Sequence, residues 1–208
     1  MRPVTRRQAD HHAARSAATV AQVMSALRQL LDRGEAFSEI SVQRILEEAG
    51  VSRATFYAHF QSKSDVLVRL ANGLRESLLA LAQQWDPGVS PDRLARFFEE
   101  VIKIHRAHQN VLAAVREAAT YDSTVDDFYA ADLEGFDAAA LRSLLSEQAT
   151  GLTPADLDAV SASRIIVWGG AQAIAHHIRV DDGGGDTVFA RELALIWWHG
   201  AYRRPGGA

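Results

Sequence analysis

Apolar residues recur at intervals of three and four along nearly the whole chain, and this spacing predicts helices and no strands. A first helix is expected at residues 16–33, and a long one from about residue 62 to 84. The segment 85–91, Trp-Asp-Pro-Gly-Val-Ser-Pro, is typical of a turn and is the clearest break in the chain. Five more helices are expected after it, with approximate bounds 91–106, 108–121, 123–147, 154–179 and 186–203.

Two short helices joined by a tight turn are predicted in the stretch 41–63. A serine precedes each helix and can cap it, and Gly50 can adopt the left-handed conformation that ends the first one. Phe56 and Phe60 lie one turn apart and should face the core. The opposite face then has small side chains at its centre, as a helix in the major groove requires. An ordinary helical hairpin with a polar exposed face is the alternative interpretation of this short pattern.

The same stretch resembles the TetR/AcrR family of bacterial one-component regulators. In that family an Ala-Gly-Val-Ser turn is followed by a Thr-Phe-Tyr-x-His-Phe run and then by Ser-Lys. The matching residues here are Ala49, Gly50, Val51, Ser52, Thr55, Phe56, Tyr57, His59, Phe60, Ser62 and Lys63. The resemblance covers about the first third of the chain. Together with the periodicity it implies an all-α fold of about nine helices, in which a three-helix DNA-binding head is joined by the long helix to a helical body.

The motif assigns DNA contacts to eight positions in the head. Arg53 and Thr55 are the predicted base readers, because arginine can bond a guanine edge and the threonine methyl group can meet a thymine methyl group. Gln43, on the first helix of the motif, is predicted to reach a base edge as well. Ser52, the N-cap of the reading helix, is also predicted to contact DNA. Phosphate contacts are predicted for Ser41, Tyr57, His59 and Lys63.

Charge is unevenly divided along the chain, whose formal net charge is −4. Residues 1–65 carry nine Lys or Arg against seven Asp or Glu, whereas residues 66–208 carry thirteen against nineteen. The motif and the resemblance imply a helix-turn-helix DNA-binding domain, 1–65, and a ligand-binding and dimerisation domain, 66–208, and the charge division agrees with them. The N-terminal segment is basic, with arginines at Arg2, Arg6, Arg7 and Arg15. It is expected either to lie along DNA phosphates or in a minor groove, or to be a solvated tail.

The composition is that of a soluble globular protein, with 48% hydrophobic and 23% charged residues. The chain has no cysteine, which excludes disulfides and thiolate metal sites. It has no apolar run long enough to cross a bilayer and no apolar signal segment. A cytoplasmic protein without a membrane partner is therefore expected.

Aromatic residues are frequent on the predicted body helices. Packing in the core is the usual role of each one, but together they can enclose an apolar pocket with a few polar anchors. The family resemblance implies a small apolar or amphipathic effector bound there. The predicted ligand-binding residues are Phe97, Tyr129, Phe136, Trp168 and Gln172.

Small residues interrupt the penultimate predicted helix at Gly169, Gly170, Ala171 and Ala173. Each glycine inside a helix costs about 1 kcal/mol relative to alanine, so a close neighbour is expected. That neighbour is either a helix of a second copy or Trp197 or Trp198 of the same chain. The resemblance implies a homodimer through the last two helices, which matches a palindromic DNA site.

Eight histidines raise the question of a metal site. His105 and His108 are three residues apart and His176 and His177 are adjacent, but neither pair has a further ligand at a recognisable spacing. A nucleophile elbow, a phosphate-binding glycine loop, paired catalytic carboxylates and a dinucleotide fingerprint are all missing from the sequence. Neither an enzyme nor a metal nor a cofactor is expected.

The predicted function is a ligand-responsive transcriptional repressor that binds a palindromic operator in double-stranded DNA as a dimer and is released by its effector. The main alternative is an architectural, non-sensing helix-turn-helix protein with a filled core. A helical ligand-binding protein or enzyme whose head does not read DNA is a third possibility.

Overall fold

The computed structural model describes residues 4–83 and 90–204, with side chains from Ala13 onward apart from that of Gln83. This part of the chain contains nine α-helices and no strand, and none of its helices is both long and apolar enough to cross a membrane. The helices are α1 Val4–Asp32, α2 Val42–Ala49, α3 Arg53–Tyr57, α4 Lys63–Gln83, α5 Pro91–Ala107, α6 Gln109–Ala119, α7 Ser123–Thr150, α8 Ala159–Val180 and α9 Asp186–Ile196, and a π-helical turn follows at Trp197–Ala201.

The all-α prediction is confirmed, but α1 is longer than the periodicity predicts. It begins at Val4 instead of near residue 16, so most of the segment expected to be a basic arm is helical. Arg2 lies outside the described residues, and the side chains of Arg6 and Arg7 are not described either.

The other bounds differ from the expected ones by a few residues. The last helix ends at Ile196, short of the expected residue 203, although the π-helical turn continues it to Ala201. The start of α8 also differs: it begins at Ala159 and not near residue 154, because Asp158 caps it and accepts a hydrogen bond from the Ser161 N–H at 2.7 Å. The expected break at 85–91 lies mostly outside the described residues.

The chain divides into two compact units, which we call the head unit and the body unit. The head unit comprises residues 1–73 and 110–129, and the body unit comprises 74–109 and 130–208. This division differs from the predicted boundary at residue 65, because α6 and the start of α7 pack with the helices of the head.

The core of the head unit gathers side chains from α1, the two motif helices, α4 and α6. Phe56 and Phe60 are buried in it, and their ring centroids lie 5.4 Å apart. Burying one such side chain stabilises the fold by roughly 1.5–3 kcal/mol. The large core residues around them are Leu27, Leu30, Phe37, Ile40, Ile45, Leu67, Val111 and Val115.

The core of the body unit is centred on α5, which packs against α8 and α9. The rings of Phe98 and Trp197 meet edge to face, with centroids 4.9 Å apart. The chain then turns back at the fully buried Tyr202, whose hydroxyl lies 3.2 Å from Ser143 Oγ on α7. The end of the described chain is thereby held against the body.

Candidate nucleic-acid interface

The turn between α2 and α3 is built by local sequence signals. Ser41 caps α2, and its hydroxyl accepts a hydrogen bond from the Arg44 N–H at 3.1 Å. Gly50 ends α2 with φ 64° and ψ 31°, a left-handed conformation that glycine adopts without steric cost. Its N–H bonds the Leu46 carbonyl, which closes the helix. The predicted helix-turn-helix is present.

The orientation of α3 is fixed from both ends. Ser52 accepts a hydrogen bond from the Thr55 N–H at 3.1 Å, and the two hydroxyl oxygens lie 2.7 Å apart. Phe56 anchors the helix in the core with no exposed surface. The opposite side of α3 therefore faces solvent.

That exposed face carries Arg53, one of the predicted base readers. Ala54 and Ala58 are exposed and leave its centre free of bulk. The guanidinium carbon of Arg53 lies 5.8 Å from the centroid of the Tyr57 ring, and 48% of Tyr57 is exposed. Within the described part of the chain the guanidinium group of Arg53 has no hydrogen-bond or ion-pair partner, so it is available to a base edge.

Other predicted DNA contacts lie around this face. Gln43 is exposed on α2, and its amide donates to Glu47 Oε1 at 3.2 Å. Ser41 and Ser52 are exposed at the helix starts, and His59 is half-buried at the end of α3. The structure thus brings the motif residues to one region of the head unit.

Other basic residues of the head unit are paired internally. Arg33 bonds both oxygens of Glu48, and this bonding holds the pKa of that carboxyl below its usual range. Arg44 lies 3.1 Å from Glu35 and 3.6 Å from Glu48. These pairs leave Arg33 and Arg44 less suited to DNA than Arg53.

The side chain of Lys63, a predicted phosphate contact, is hydrogen-bonded within the protein. Its Nζ donates to the carbonyl oxygens of Phe37 at 2.7 Å, Ser38 at 3.3 Å and Ile40 at 2.8 Å. An ammonium has three donors, so all of them are used within the protein. Burial lowers the pKa of Lys63 despite the nearby carboxylates. A phosphate contact through this side chain would require at least one of these bonds to break.

Glu117 on α6 is a residue that the motif does not predict. Its carboxylate accepts hydrogen bonds from the N–H groups of Phe37 at 3.3 Å and Ser38 at 3.0 Å. Burial acts to raise the pKa of Glu117, but these bonds and the charge of Lys63 outweigh it and lower the pKa. Glu117 follows Phe37 by 80 positions, and no local sequence pattern connects the two.

The predicted ligand-binding residues are not gathered in one place. Phe97 and Phe136 are partly buried against the body core, whereas Tyr129 packs against the core of the head unit. Trp168 and Gln172 are exposed on α8. Helical periodicity predicted that these residues lie on helices. It did not predict which face of each helix packs against the rest of the chain.

Three possible metal ligands come together near the loop between α8 and α9. His177, Asp181 and Asp186 offer ligand atoms within 4.8 Å of one another. However, Arg106 bonds both carboxylate oxygens of Asp186, at 2.9 and 2.5 Å, and lies 3.8 Å from Asp181. The guanidinium group of Arg106 already neutralises the carboxylates of this cluster, which therefore does not favour a metal ion.

Residues 24–70 match the family model described as bacterial regulatory proteins, tetR family. The chain is also 32% identical over 59 residues to the nucleoid occlusion factor SlmA of Vibrio cholerae serotype O1. That match covers 28% of this chain and 30% of SlmA, so it spans less than a third of the relative's length.

Solved structures extend the similarity to the whole fold. Salmonella enterica GusR superposes with a TM-score of 0.71 at 20% identity, over 89% of this chain and 96% of that one. The fatty acid degradation regulator FadR from Bacillus halodurans superposes with a TM-score of 0.67 at 17% identity, over 86% of this chain and 98% of that one. For a TetR transcription regulator from Haloarcula marismortui the TM-score is 0.66 at 20% identity, over 86% of this chain and 95% of that one. At these identities the likeness shows the fold.

Proposed function

Because the chain belongs to the TetR family of bacterial regulatory proteins, as its motif predicted, we propose that it is a ligand-responsive transcriptional repressor. It binds a palindromic operator as a homodimer, and a small apolar or amphipathic molecule bound in the body unit releases it. It acts in the cytoplasm, where the chromosome is. The single observation that carries the proposal is the exposed face of α3, which presents Arg53 beside small side chains.

In this proposal the motif residues have distinct roles. Arg53 reads a guanine edge, and Gln43 reaches a second base. The hydroxyl of Thr55 bonds Ser52, which leaves the Thr55 methyl group for a thymine. Phosphates are contacted by Ser41, Ser52, Tyr57 and His59.

Dimerisation is supported by apolar side chains that α8 and α9 leave in solvent. On α8, Ile165 is 71% exposed and Trp168 is 38% exposed. On α9, Val188 and Ile196 are 66% and 64% exposed. A second copy of the chain is the partner that a two-fold operator requires, and burial of these side chains would stabilise the dimer.

This assignment changes the predicted ligand site. Trp168 and Gln172 belong to the dimer face, and the effector contacts Phe97 and Phe136 in the body unit. A ligand can release DNA only through different affinities for the DNA-bound and DNA-free forms of the protein. The linkage is reciprocal, so operator DNA weakens effector binding by the same factor.

A non-sensing, architectural DNA-binding role is the second candidate, and the similarity of the head to a nucleoid occlusion factor favours it. The two candidates differ in whether a small molecule changes DNA affinity. Native mass spectrometry of the protein purified from its own cells reveals any co-purified molecule. Adding that molecule back should weaken operator binding in a repressor and leave it unchanged in an architectural protein.

Selection of the full chain on a random-sequence duplex library tests the DNA-binding proposal. We expect enrichment of a palindrome whose half-sites are centred about 10 base pairs, or a multiple of that, apart. A library in which no sequence is enriched would contradict the proposal.

A further inference from the structure

The link between α1 and α2 is held by two charged side chains from other helices. Lys63, at the start of α4, donates three hydrogen bonds to the carbonyl groups of Phe37, Ser38 and Ile40. Its Nζ also lies 4.6 Å from the centroid of the Phe37 ring. Glu117, on α6, accepts hydrogen bonds from the N–H groups of Phe37 and Ser38.

We propose that Lys63 and Glu117 are positioning residues for DNA binding: they clamp the link 37–40 and thereby fix the placement of α2 and α3. This inference rests on the proposed function, and it gives Lys63 a role other than the phosphate contact predicted from the motif. Glu117 has no role assigned by the motif at all.

The link needs such partners because of where it lies. Phe37 and Ile40 are each 1% exposed and anchor the link in the core, whereas Ser38 and Glu39 between them are exposed. Backbone N–H and C=O groups that lose water must be paired within the protein. The N–H groups of Glu39 and Ile40 bond the Ala36 carbonyl. The clamp pairs the N–H groups of Phe37 and Ser38 and three carbonyl groups of the link, and it does so with charged groups, whose hydrogen bonds are the stronger kind.

The clamp acts on the reading helix through a short covalent path. Ile40 is followed directly by Ser41, the N-cap of α2, and α2 is followed by the tight turn at Gly50. A displacement of the link therefore moves the cap of α2, and α3 with it. Because Arg53 must reach a base edge within hydrogen-bond distance, a small displacement is enough to weaken binding.

A second contact fixes the same two regions of the head unit to each other. The hydroxyl of Ser64, next to Lys63 on α4, donates to Asp122 Oδ2 at 2.5 Å. Asp122 Oδ1 in turn accepts the Thr124 and Val125 N–H groups at the start of α7. The Ser64–Asp122 bond therefore joins the first turn of α4, which carries Lys63, to the segment 117–122, which carries Glu117.

The test compares Lys63→Met and Glu117→Gln with wild type. Lys103→Met and Glu134→Gln are matched controls, because these residues are exposed and the substitutions change charge in the same way. Amide hydrogen exchange at Phe37 and Ser38 reports on the link without DNA. Affinity for a duplex enriched from the random library, measured over a range of salt concentrations, reports on positioning.

We expect both clamp variants to exchange about tenfold faster at Phe37 and Ser38 than the controls do. This factor corresponds to roughly 1.5 kcal/mol for one hydrogen bond to a charged group. Operator affinity should fall by a similar factor in both variants, with an unchanged slope of log affinity against log salt. The double variant should be little worse than the more severe single one, because both act on the same link.

A phosphate contact by Lys63 gives the opposite pattern. Lys63→Met would then lower the salt slope by about 0.9 for each phosphate that it no longer neutralises, while Glu117→Gln would bind like its control. That result, or unchanged exchange in both clamp variants, would overturn the inference. Glu117→Gln keeps one acceptor oxygen and remains decisive if Lys63→Met does not fold. If wild type enriches no sequence, the proposed function fails, and the exchange measurement decides the clamp separately.

Discussion

Gly170 on α8 faces the indole ring of Trp197 in the same chain: a Cβ atom at this glycine would lie 3.7 Å from Trp197 Cζ2. Gly170 is buried. Its neighbour Gly169 is exposed, and a Cβ atom there would meet nothing within 4 Å. The sequence left open whether these glycines meet a second copy of the chain or a tryptophan of their own chain. Gly170 meets Trp197 of its own chain, whereas Gly169 lies on the face proposed for the dimer.

The first prediction separates the two glycines. Gly169→Arg should give monomers that keep their helicity, because it puts a bulky charge beside Ile165 and Trp168 without touching the core. Gly170→Arg should instead unfold the body unit, since the side chain would clash with Trp197. Gly169→Ala is the control, and it should remain dimeric and gain about 1 kcal/mol of helix stability. Sedimentation velocity and circular dichroism measure both properties.

A wild-type protein that sediments as a monomer would show that no such dimer forms. A Gly169→Arg variant that remains fully dimeric would place the interface on another face of the molecule.

The second prediction concerns Asp132 on α7. Its Oδ1 is 3.5 Å from Arg75 Nε, and neither atom has a hydrogen-bond partner among the described residues. Burial raises the pKa of Asp132 to about 6, since it outweighs the attraction of Arg75. The folded protein therefore binds a proton on the Asp132 carboxyl more tightly than the unfolded chain does. The contribution of Asp132 to the free energy of unfolding should fall as pH rises from about 4 to 6 and stay low above that range.

Asp132→Asn removes this pH dependence. At about pH 7.5 the variant should be more stable than wild type by up to about 3 kcal/mol, whereas at about pH 4 the two should be nearly equal. Urea unfolding at both pH values measures the difference. Asp127→Asn, an exposed substitution on the same helix, is the control, and an equal gain there would argue against a buried carboxyl as the cause.

The third prediction concerns the buried ion pair that holds the end of the described chain. Arg204 lies 2.7 Å from Glu147 Oε1, and each side chain is only 9% exposed. The hydroxyl of Thr153 donates to the other Glu147 oxygen at 2.8 Å. Arg204→Met leaves a buried charge without its partner and should cost about 3–5 kcal/mol in the free energy of unfolding.

The double substitution Arg204→Met with Glu147→Met should cost much less than the sum of the two single ones, because it leaves no unpaired charge. Arg203→Met is the control, since Arg203 is half-exposed and its pair with Asp156 is on the surface. Additive costs in this double-mutant cycle, measured by urea unfolding, would refute the pairing.

The motif was predictable because its signals are local. Caps at Ser41 and Ser52, a left-handed glycine at Gly50 and apolar spacing at Phe56 each act within a few residues. Periodicity likewise located the body helices to within a few residues. These features follow from neighbouring side chains alone.

The clamp and the individual residues of the proposed dimer face were not predictable in the same way. Whether Lys63 meets a phosphate or a carbonyl depends on how α4 docks against the link, and Glu117 reaches that link only through tertiary packing. Periodicity placed Trp168 among apolar residues, but an apolar face looks the same in sequence whether its own chain or a second copy covers it.

The central claim, that α3 reads bases through Arg53, is tested most directly by one comparison. The affinities of wild type and Arg53→Ala are measured for the enriched duplex and for a scrambled duplex, with the exposed Arg96→Ala as charge control. We predict that Arg53→Ala loses about 1–3 kcal/mol on the enriched duplex and little on the scrambled one, while Arg96→Ala changes neither. An equal loss on both duplexes would contradict base reading by Arg53.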